Sequence, residues 1–316
     1  MNSRKRFEFC APRVRPLYMV DLPGGLGNQI FAYFAAQYLS SNSNSRVVLQ
    51  FSTTSKFHVG NRFDLSSFSL KIGRSSTGLF QTIFSPLYFP EKNGFNRRVS
   101  KFIQYETVIR FDPGEDTKEH FDSFLKNVTP SLVPKRISGY FGDFAFHDSL
   151  SKSERLLVLQ KPSTAYQSLR DNFSKRKVLG IHIRAGDYLG LKNQNGILGD
   201  SYYREALDQV FAQSPDALPI IFSNDQTYAE MRVSKWKLRE SFFVSSELLP
   251  DPAESLVLLS GCDYIIAANS TFSFWAGKLS SPLCKIWAPK TWRRDLQGKI
   301  SNIPIEWQLL ESSWAE

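Results

Sequence analysis

The chain has 316 residues, 42% hydrophobic and 22% charged, with a formal net charge of +9 at pH 7. This is an ordinary composition for a folded protein, and the length exceeds one small core and suits two domains of roughly 150 residues each. The positive balance points to an anionic partner (nucleic acid, an acidic membrane or a phosphorylated small molecule) or to a basic solvated surface. Cys10, Cys262 and Cys284 lie too far apart for a disulfide framework, and no Cys/His spacing suggests zinc.

Apolar runs alternate with helical patterns along the chain, as expected of βα units and parallel sheets. A loose basic arm, Arg4 to Arg15, precedes a strand at Leu17–Leu22, a tight turn at Pro23–Gly27 and a helix from Asn28 to Leu39. A strand at Arg46–Phe51 follows. Phe63–Thr129 has irregular period and is expected to hold loops and short helices, with a basic clump at Arg97, Arg98 and Lys101; a further strand is expected at Arg136–Phe141. The domain boundary is placed between Leu150 and Asn172, with Lys161-Pro162-Ser163 as linker. This gives an N-terminal domain over 1–160 and a C-terminal domain over 161–316.

In the second half, strands are expected at Lys177–Ile183, Leu218–Phe222, Tyr264–Ala268 and Cys284–Ala288, with helices at Tyr202–Gln213, to about Ser260, and at Thr271–Leu279. Asp251-Pro252-Ala253-Glu254 opens the middle helix with a capping residue, a proline suited to the first helical position and a glutamate that would close a capping box.

Four polar clusters interrupt this alternation. Gly24-Gly25-Leu26-Gly27-Asn28-Gln29 joins a strand to a helix, where glycines permit a sharp turn and close approach to a ligand. It is neither a Rossmann fingerprint nor a P-loop, and the plainer alternative is a tight βα turn. His182-Ile183-Arg184-Ala185-Gly186-Asp187-Tyr188 ends a strand, the place where open α/β sheets bind ligands. Period-two alternation puts His182 and Arg184 on one face, and an arginine there can clamp a diphosphate. The alternative is an Arg184–Asp187 ion pair that only ties the loop. Ser223-Asn224-Asp225 and Asn269-Ser270-Thr271-Phe272-Ser273-Phe274-Trp275 repeat the logic at two more strand ends. One hydroxyl of the last cluster can also cap the helix that follows, and its aromatic residues suit a core. No Asp-x-Asp occurs, and His58, His120, His147 and His182 lack metal-ligand spacing, so no metal is expected.

Together these motifs resemble the α-1,2-fucosyltransferase family, glycosyltransferase family 11. Its marks are Gly-Gly-Leu-Gly-Asn-Gln, His-x-Arg-Arg-x-Asp-Tyr, Ser-Asn/Asp-Asp and Asn-Ser-Thr-Phe-Ser, which appear here in order from Gly24 to Trp275. Gly139-Tyr140-Phe141 and Ala288-Pro289-Lys290-x-Trp292 also look like family features, whereas Ala185 departs from the second arginine of the loop. The resemblance implies a GT-B fold, two Rossmann-like domains facing across a cleft, with the last segment packing back on the N-terminal domain. It implies inverting, metal-independent transfer of L-fucose from GDP-fucose to the 2-OH of a terminal β-galactoside. The implied donor set is His182 and Asp225 on the guanosine, Arg184 on the diphosphate assisted by Ser270, Thr271 and Ser273, and Asn28 with Gln29 closing from the opposite domain. Gly25, Gly27, Ser223, Asn224, Asn269 and Phe272 complete it.

Arg184 and Asp187 are the catalytic candidates. Asp187 would be weakened as a base by pairing with Arg184, and Asp21 and Asp143 are alternatives. Other fucosyl linkages (α-1,6, or O-fucosylation of protein), a sugar-nucleotide sensor and a nucleic-acid-binding protein are the rival readings. No nucleic-acid module is visible, and nucleic acid is not an expected partner. The expected partners are GDP-fucose, a galactose-terminated oligosaccharide or glycolipid, and an anionic membrane touched peripherally. No apolar run approaches the roughly 18–20 residues of a membrane span, and Met1–Arg15 lacks a secretory signal. The expected location is the cytoplasm, peripheral at the inner membrane, or the Golgi lumen where an N-terminal anchor has been removed.

Overall fold

The computed structural model describes residues 17–43, 45–50, 64–72, 108–110, 117–126, 135–296 and 303–315. Cys10, His58, the basic arm and the Arg97–Lys101 clump lie outside them. The chain divides into two compact units. One comprises Met1–Pro23, Phe31–Phe57 and Leu70–Leu156; the other Gly24–Ile30, His58–Ser69 and Leu157–Glu316. The glycine-rich turn, expected in the N-terminal domain, thus packs with the second unit.

In the first unit, β1 (Leu17–Asp21), β2 (Arg46–Gln50), β3 (Val108–Arg110) and β4 (Lys135–Ser138) form a parallel sheet in the order β2-β1-β4-β3. Helix α1 (Leu26–Asn42), whose start to Ile30 belongs to the second unit, carries buried Ile30, Phe31, Tyr33, Phe34 and Leu39 with Ala32, Ala35 and Ala36 between them. A helix apolar around its circumference is a core helix, and it extends beyond the expected Asn28–Leu39 at both ends. Helices α2 (Lys118–Lys126) and α3 (Ala145–Asp148) complete the unit. Phe121, Phe141 and Phe146 meet edge to face there, an arrangement that aromatic quadrupoles favour. The strand expected to reach Phe141 stops at Ser138, because Phe141 takes a left-handed backbone (φ 52°) that no strand accommodates.

The second unit holds β5 (Val178–Ile183), β6 (Leu218–Ser223), β7 (Phe242–Val244), β8 (Tyr264–Ile266), β9 (Lys285–Pro289) and β10 (Gln308–Leu310). All six are parallel, in the order β10-β9-β8-β5-β6-β7. Counted from the start of the unit, this is the doubly wound Rossmann order, with its switch point between β5 and β8. Every residue of β5 is buried, as a central parallel strand covered on both faces requires. The helices are α4 (Thr164–Phe173), α5 (Asp200–Gln213), α6 (Gln226–Val233), α7 (Pro252–Ser260) and α8 (Thr271–Lys278).

Ser163, at the end of the expected linker Lys161-Pro162-Ser163, caps α4 by accepting from Tyr166 N at 3.1 Å. Asp251 does cap α7, but Glu254 does not close the box. Its buried carboxylate accepts instead from Ser163 N (2.5 Å) and Ser163 Oγ (2.8 Å), so the start of α7 holds the start of α4. The final segment adds β10 to the edge of the second sheet. Beyond β10, Gly199 N donates to Ser313 O and Ala315 N to Ile197 O.

Candidate active site

His182 and Arg184 stand at the carboxyl end of β5, beside the switch point. His182 is 3% exposed, its ring 5.1 Å from that of Phe272, and its carbonyl accepts from Tyr203 Oη at 3.0 Å. Burial, with Arg184 nearby, lowers its pKa to about 3, so the imidazole is neutral. Its Nδ1 is buried and has no partner among the described residues. Arg184 makes the ion pair that the sequence offered as the plainer alternative, Nη2 to the Asp187 carboxylate at 2.7 Å. The guanidinium also lies 4.8 Å over the Tyr188 ring, and its buried Nε has no partner among the described residues.

Asn224, at the end of β6, grips this loop from the side. Its Oδ1 accepts from Ala185 N (3.0 Å), and its Nδ2 donates to Ala185 O and to Asp187 Oδ1, each at 3.2 Å. Gly186 between them has φ +55°, and a Cβ there would lie 2.5 Å from Asn224 Nδ2. Only glycine satisfies both constraints. Ser223 Oγ bonds the backbone of Asp225, and Asp225 caps α6 through Tyr228 N at 3.0 Å. One Asp225 oxygen therefore serves the fold rather than a ligand.

The β8–α8 junction is similarly committed. Asn269 Nδ2 donates to three carbonyls, Asn195 O, Gly196 O and Trp292 O, at 3.0 to 3.2 Å. Its buried Oδ1 has no partner among the described residues. Ser270 caps α8 through Phe272 N at 3.3 Å. Ser273 is wholly buried and donates backward to Ala268 O (3.0 Å) and Ser270 O (3.2 Å), so its hydroxyl is spent within the helix start. Phe274 and Trp275 are core. Thr271 and Phe272 remain half-buried at the first turn, where the helix dipole favours an anion.

The glycine turn meets that same first turn. A Cβ on Gly27 would fall 2.5 Å from Thr271 C and Oγ1 and 2.7 Å from Phe272 N. The starts of α1 and α8 thus touch through a residue that has no side chain. Gly24 is left-handed (φ +56°), and Gly25 faces open space. Asn28 is half-buried. Gln29, expected to reach a ligand from the opposite domain, is 0% exposed. Its amide donates to Gly24 O (3.0 Å) and accepts from Asp64 N (3.1 Å), which shapes the turn.

Neither alternative base is free in the first unit. Asp21 accepts from Arg136 Nε with both oxygens at 2.8 Å, and Asp143 accepts from Lys118 N and Ala145 N. Among the described residues no three His, Cys, Asp or Glu side chains form a metal-binding set. Burial raises both Cys262 and Cys284, the latter to about 11, which keeps these thiols protonated. Among the described residues no helix is long and apolar enough to cross a membrane. Tyr203 and the Asn195–Gly196 carbonyls support the site without having stood out in the sequence. Tyr203 donates its hydroxyl to a backbone carbonyl and Asn195 and Gly196 offer their own carbonyls, and contacts made to backbone groups leave no residue-type signal.

Two parallel-sheet units, one in Rossmann order with its polar groups gathered at the switch point, define an α/β protein of the GT-B class. A solved structure of NodZ alpha-1,6-fucosyltransferase soaked with GDP-fucose shares the fold, with a TM-score of 0.50 and 13% identity over 84% of this chain and 93% of that one. The family model described as glycosyl transferase family 11 matches residues 144–311, more than half of the chain, and the protein belongs to that family. Among similar proteins, the O-antigen biosynthesis glycosyltransferase WbnK of Escherichia coli is 26% identical over 86% of this chain and 93% of its own length. Galactoside alpha-(1,2)-fucosyltransferase 1 of Oryctolagus cuniculus is 28% identical over 44% of this chain. That match spans only 36% of the rabbit protein. The protein is a glycosyltransferase.

Proposed function

We propose that this glycosyltransferase moves L-fucose from GDP-fucose to the 2-OH of a terminal β-galactoside, with inversion at the anomeric carbon and without a metal ion. The observation that carries the proposal is the placing of Arg184 at one strand end with a neutral, buried His182 whose Nδ1 lacks a partner among the described residues, beside the first turn of α8. Such a site offers a cation and N–H donors to a diphosphate and a neutral ring nitrogen to a nucleobase. The names of the rabbit relative and of the NodZ structure, which speak of galactoside, α-1,2 transfer and GDP-fucose, support this choice of donor and acceptor.

In this reading GDP leaves as an acceptor hydroxyl attacks from the opposite face, and Arg184 offsets the charge growing on the phosphate. Asp187 is held by both Arg184 and Asn224, which suits it to orient the guanidinium rather than to collect a proton. The acceptor is a galactose-terminated oligosaccharide or glycolipid, and the net positive charge suits peripheral contact with an anionic membrane carrying the latter.

The test is incubation with GDP-fucose and a panel of galactosides in the presence of EDTA, followed by linkage analysis. An α-1,2-fucosylated product is expected. An α-1,6 product or modified protein would replace the linkage, loss of turnover in EDTA would remove the metal-free site, and no transfer under any condition would sink the reading.

A further inference from the structure

The donor site as described is short of positive charge. Arg184 is matched by Asp187, and His182 is neutral. Asp225 stands one residue from the Asn224 that grips the loop. A nucleoside diphosphate brings at least two further negative charges, which α8's first turn offsets only in part. Some other cation has to be within reach of the switch point.

Arg293 has the position. It follows β9 on a segment fastened at both sides: Trp292 O accepts from Asn269 Nδ2 at 3.1 Å, and Arg294 N donates to Asn195 O at 3.3 Å. Asn269 is the residue whose carbonyl faces Tyr188 Oη at 3.4 Å, and Tyr188 is the ring over which Arg184 lies. Arg293 is close enough to Tyr188 for its charge to oppose the burial that raises the phenol's pKa. Tyr188 therefore feels two guanidiniums, Arg184 from the end of β5 and Arg293 from the segment after β9.

Arg293 is also free to change partners. It pairs with Asp295, Nε to Oδ1 at 3.0 Å and Nη2 to Oδ2 at 2.5 Å, but its side chain is 51% exposed and that of Asp295 35%. A pair so open to water contributes little. Arg232 makes the contrast: almost fully buried, it is locked to Asp200, Tyr228 and Leu198 O and serves the core. Lys290, the other cation on this segment with an ion pair, is paired to Glu311 instead.

We infer that Arg293 is a second diphosphate-binding cation of the donor site, exchanging Asp295 for the phosphate oxygens when the nucleotide binds. This rests on the GDP-sugar reading of the same site and names a residue that none of the strand-end motifs contains.

The experiment is calorimetric titration of the purified protein with GDP, for wild type, R293Q, R293K and D295N, alongside the melting temperature of each without ligand. R293Q is expected to melt with wild type yet bind GDP about 10- to 100-fold more weakly, the loss of one charged hydrogen-bonding group. R293K should recover part of that loss, and D295N should bind GDP at least as tightly as wild type. GDP affinity within twofold of wild type in R293Q overturns the inference while leaving the proposed function standing. So does a D295N loss as large as that of R293Q, because the pair would then act by shaping the loop. Wild-type protein that binds no GDP removes the proposed function and this inference with it.

Discussion

Gly27→Ala isolates the contact on which the two helix starts depend. The added methyl would sit 2.5 Å from the Thr271 carbonyl carbon and 2.7 Å from Phe272 N, and backbone cannot step aside as a flexible side chain does. To reach ordinary contact near 3.5 Å, the first turns of α1 and α8 must separate by about 1 Å. Overpacking of this kind costs about 1–3 kcal/mol, or roughly 2–12 °C in melting temperature for a unit of this size. Gly25→Ala is the control: the same chemistry two residues away, where a Cβ meets nothing within 4 Å. Thermal melts of both variants give the stability difference, and GDP titration reports whether the α8 start has moved. If Gly27→Ala melts and binds like Gly25→Ala, the close approach is not a constraint and the account of this turn is wrong.

Three further outcomes follow from the geometry. Arg184→Ala should lower turnover by about 10²–10³-fold with little change in melting temperature, because the Arg184–Asp187 pair is partly exposed; near-normal turnover would remove Arg184 from the mechanism. His182 should make stability acid-sensitive. Its folded pKa of about 3 lies below the ordinary 6.5, so the unfolded chain takes up the proton first. The contribution is intact above pH 6.5 and falls away as pH drops toward 3, with a slope of at most about 1.4 kcal/mol per pH unit. Urea melts of His182→Asn across that window should show a flatter profile, and an unchanged slope would count against a buried neutral imidazole. Glu254→Ala should cost about 1–3 kcal/mol by leaving Ser163 N and Oγ without their acceptor; a melt indistinguishable from wild type would show that water replaces the carboxylate without loss.

What could be read ahead of the structure was whatever depends on near neighbours. Buried runs such as Val178–Ile183 announce a central parallel strand, and Asp251-Pro252 announces a helix start, because burial and capping leave local marks. Three-residue strands such as β7 and β10 leave none; their pairing is set by the sheet they join. The same division runs through the site. Polar groups at strand ends were visible, but which ligand each amide serves was not. Gln29 and Asn269 carry side chains suited to a sugar or a phosphate, yet both donate to backbone carbonyls, Gly24 O for Gln29 and three carbonyls for Asn269. A glutamate three residues into a helix commonly reaches back to its own cap, and here Ser163, distant in the chain, outcompetes that cap. Arg293 had no motif to announce it, since its place comes from an asparagine holding the neighbouring carbonyl.

The sixth strand of the second sheet has a bearing on how the protein is made. Residues 308–315 supply β10 and the backbone bonds that hold Ile197 and Gly199, while β5 and β6 lie far upstream. During synthesis the earlier strands emerge first and wait, with the edge of β9 uncovered. An unpaired apolar edge is a template for association with other chains. Pausing on the ribosome before residue 315 has emerged therefore exposes the nascent chain at its most adhesive, and expression should respond to translation speed and chaperone supply more than the stability of the finished fold would suggest.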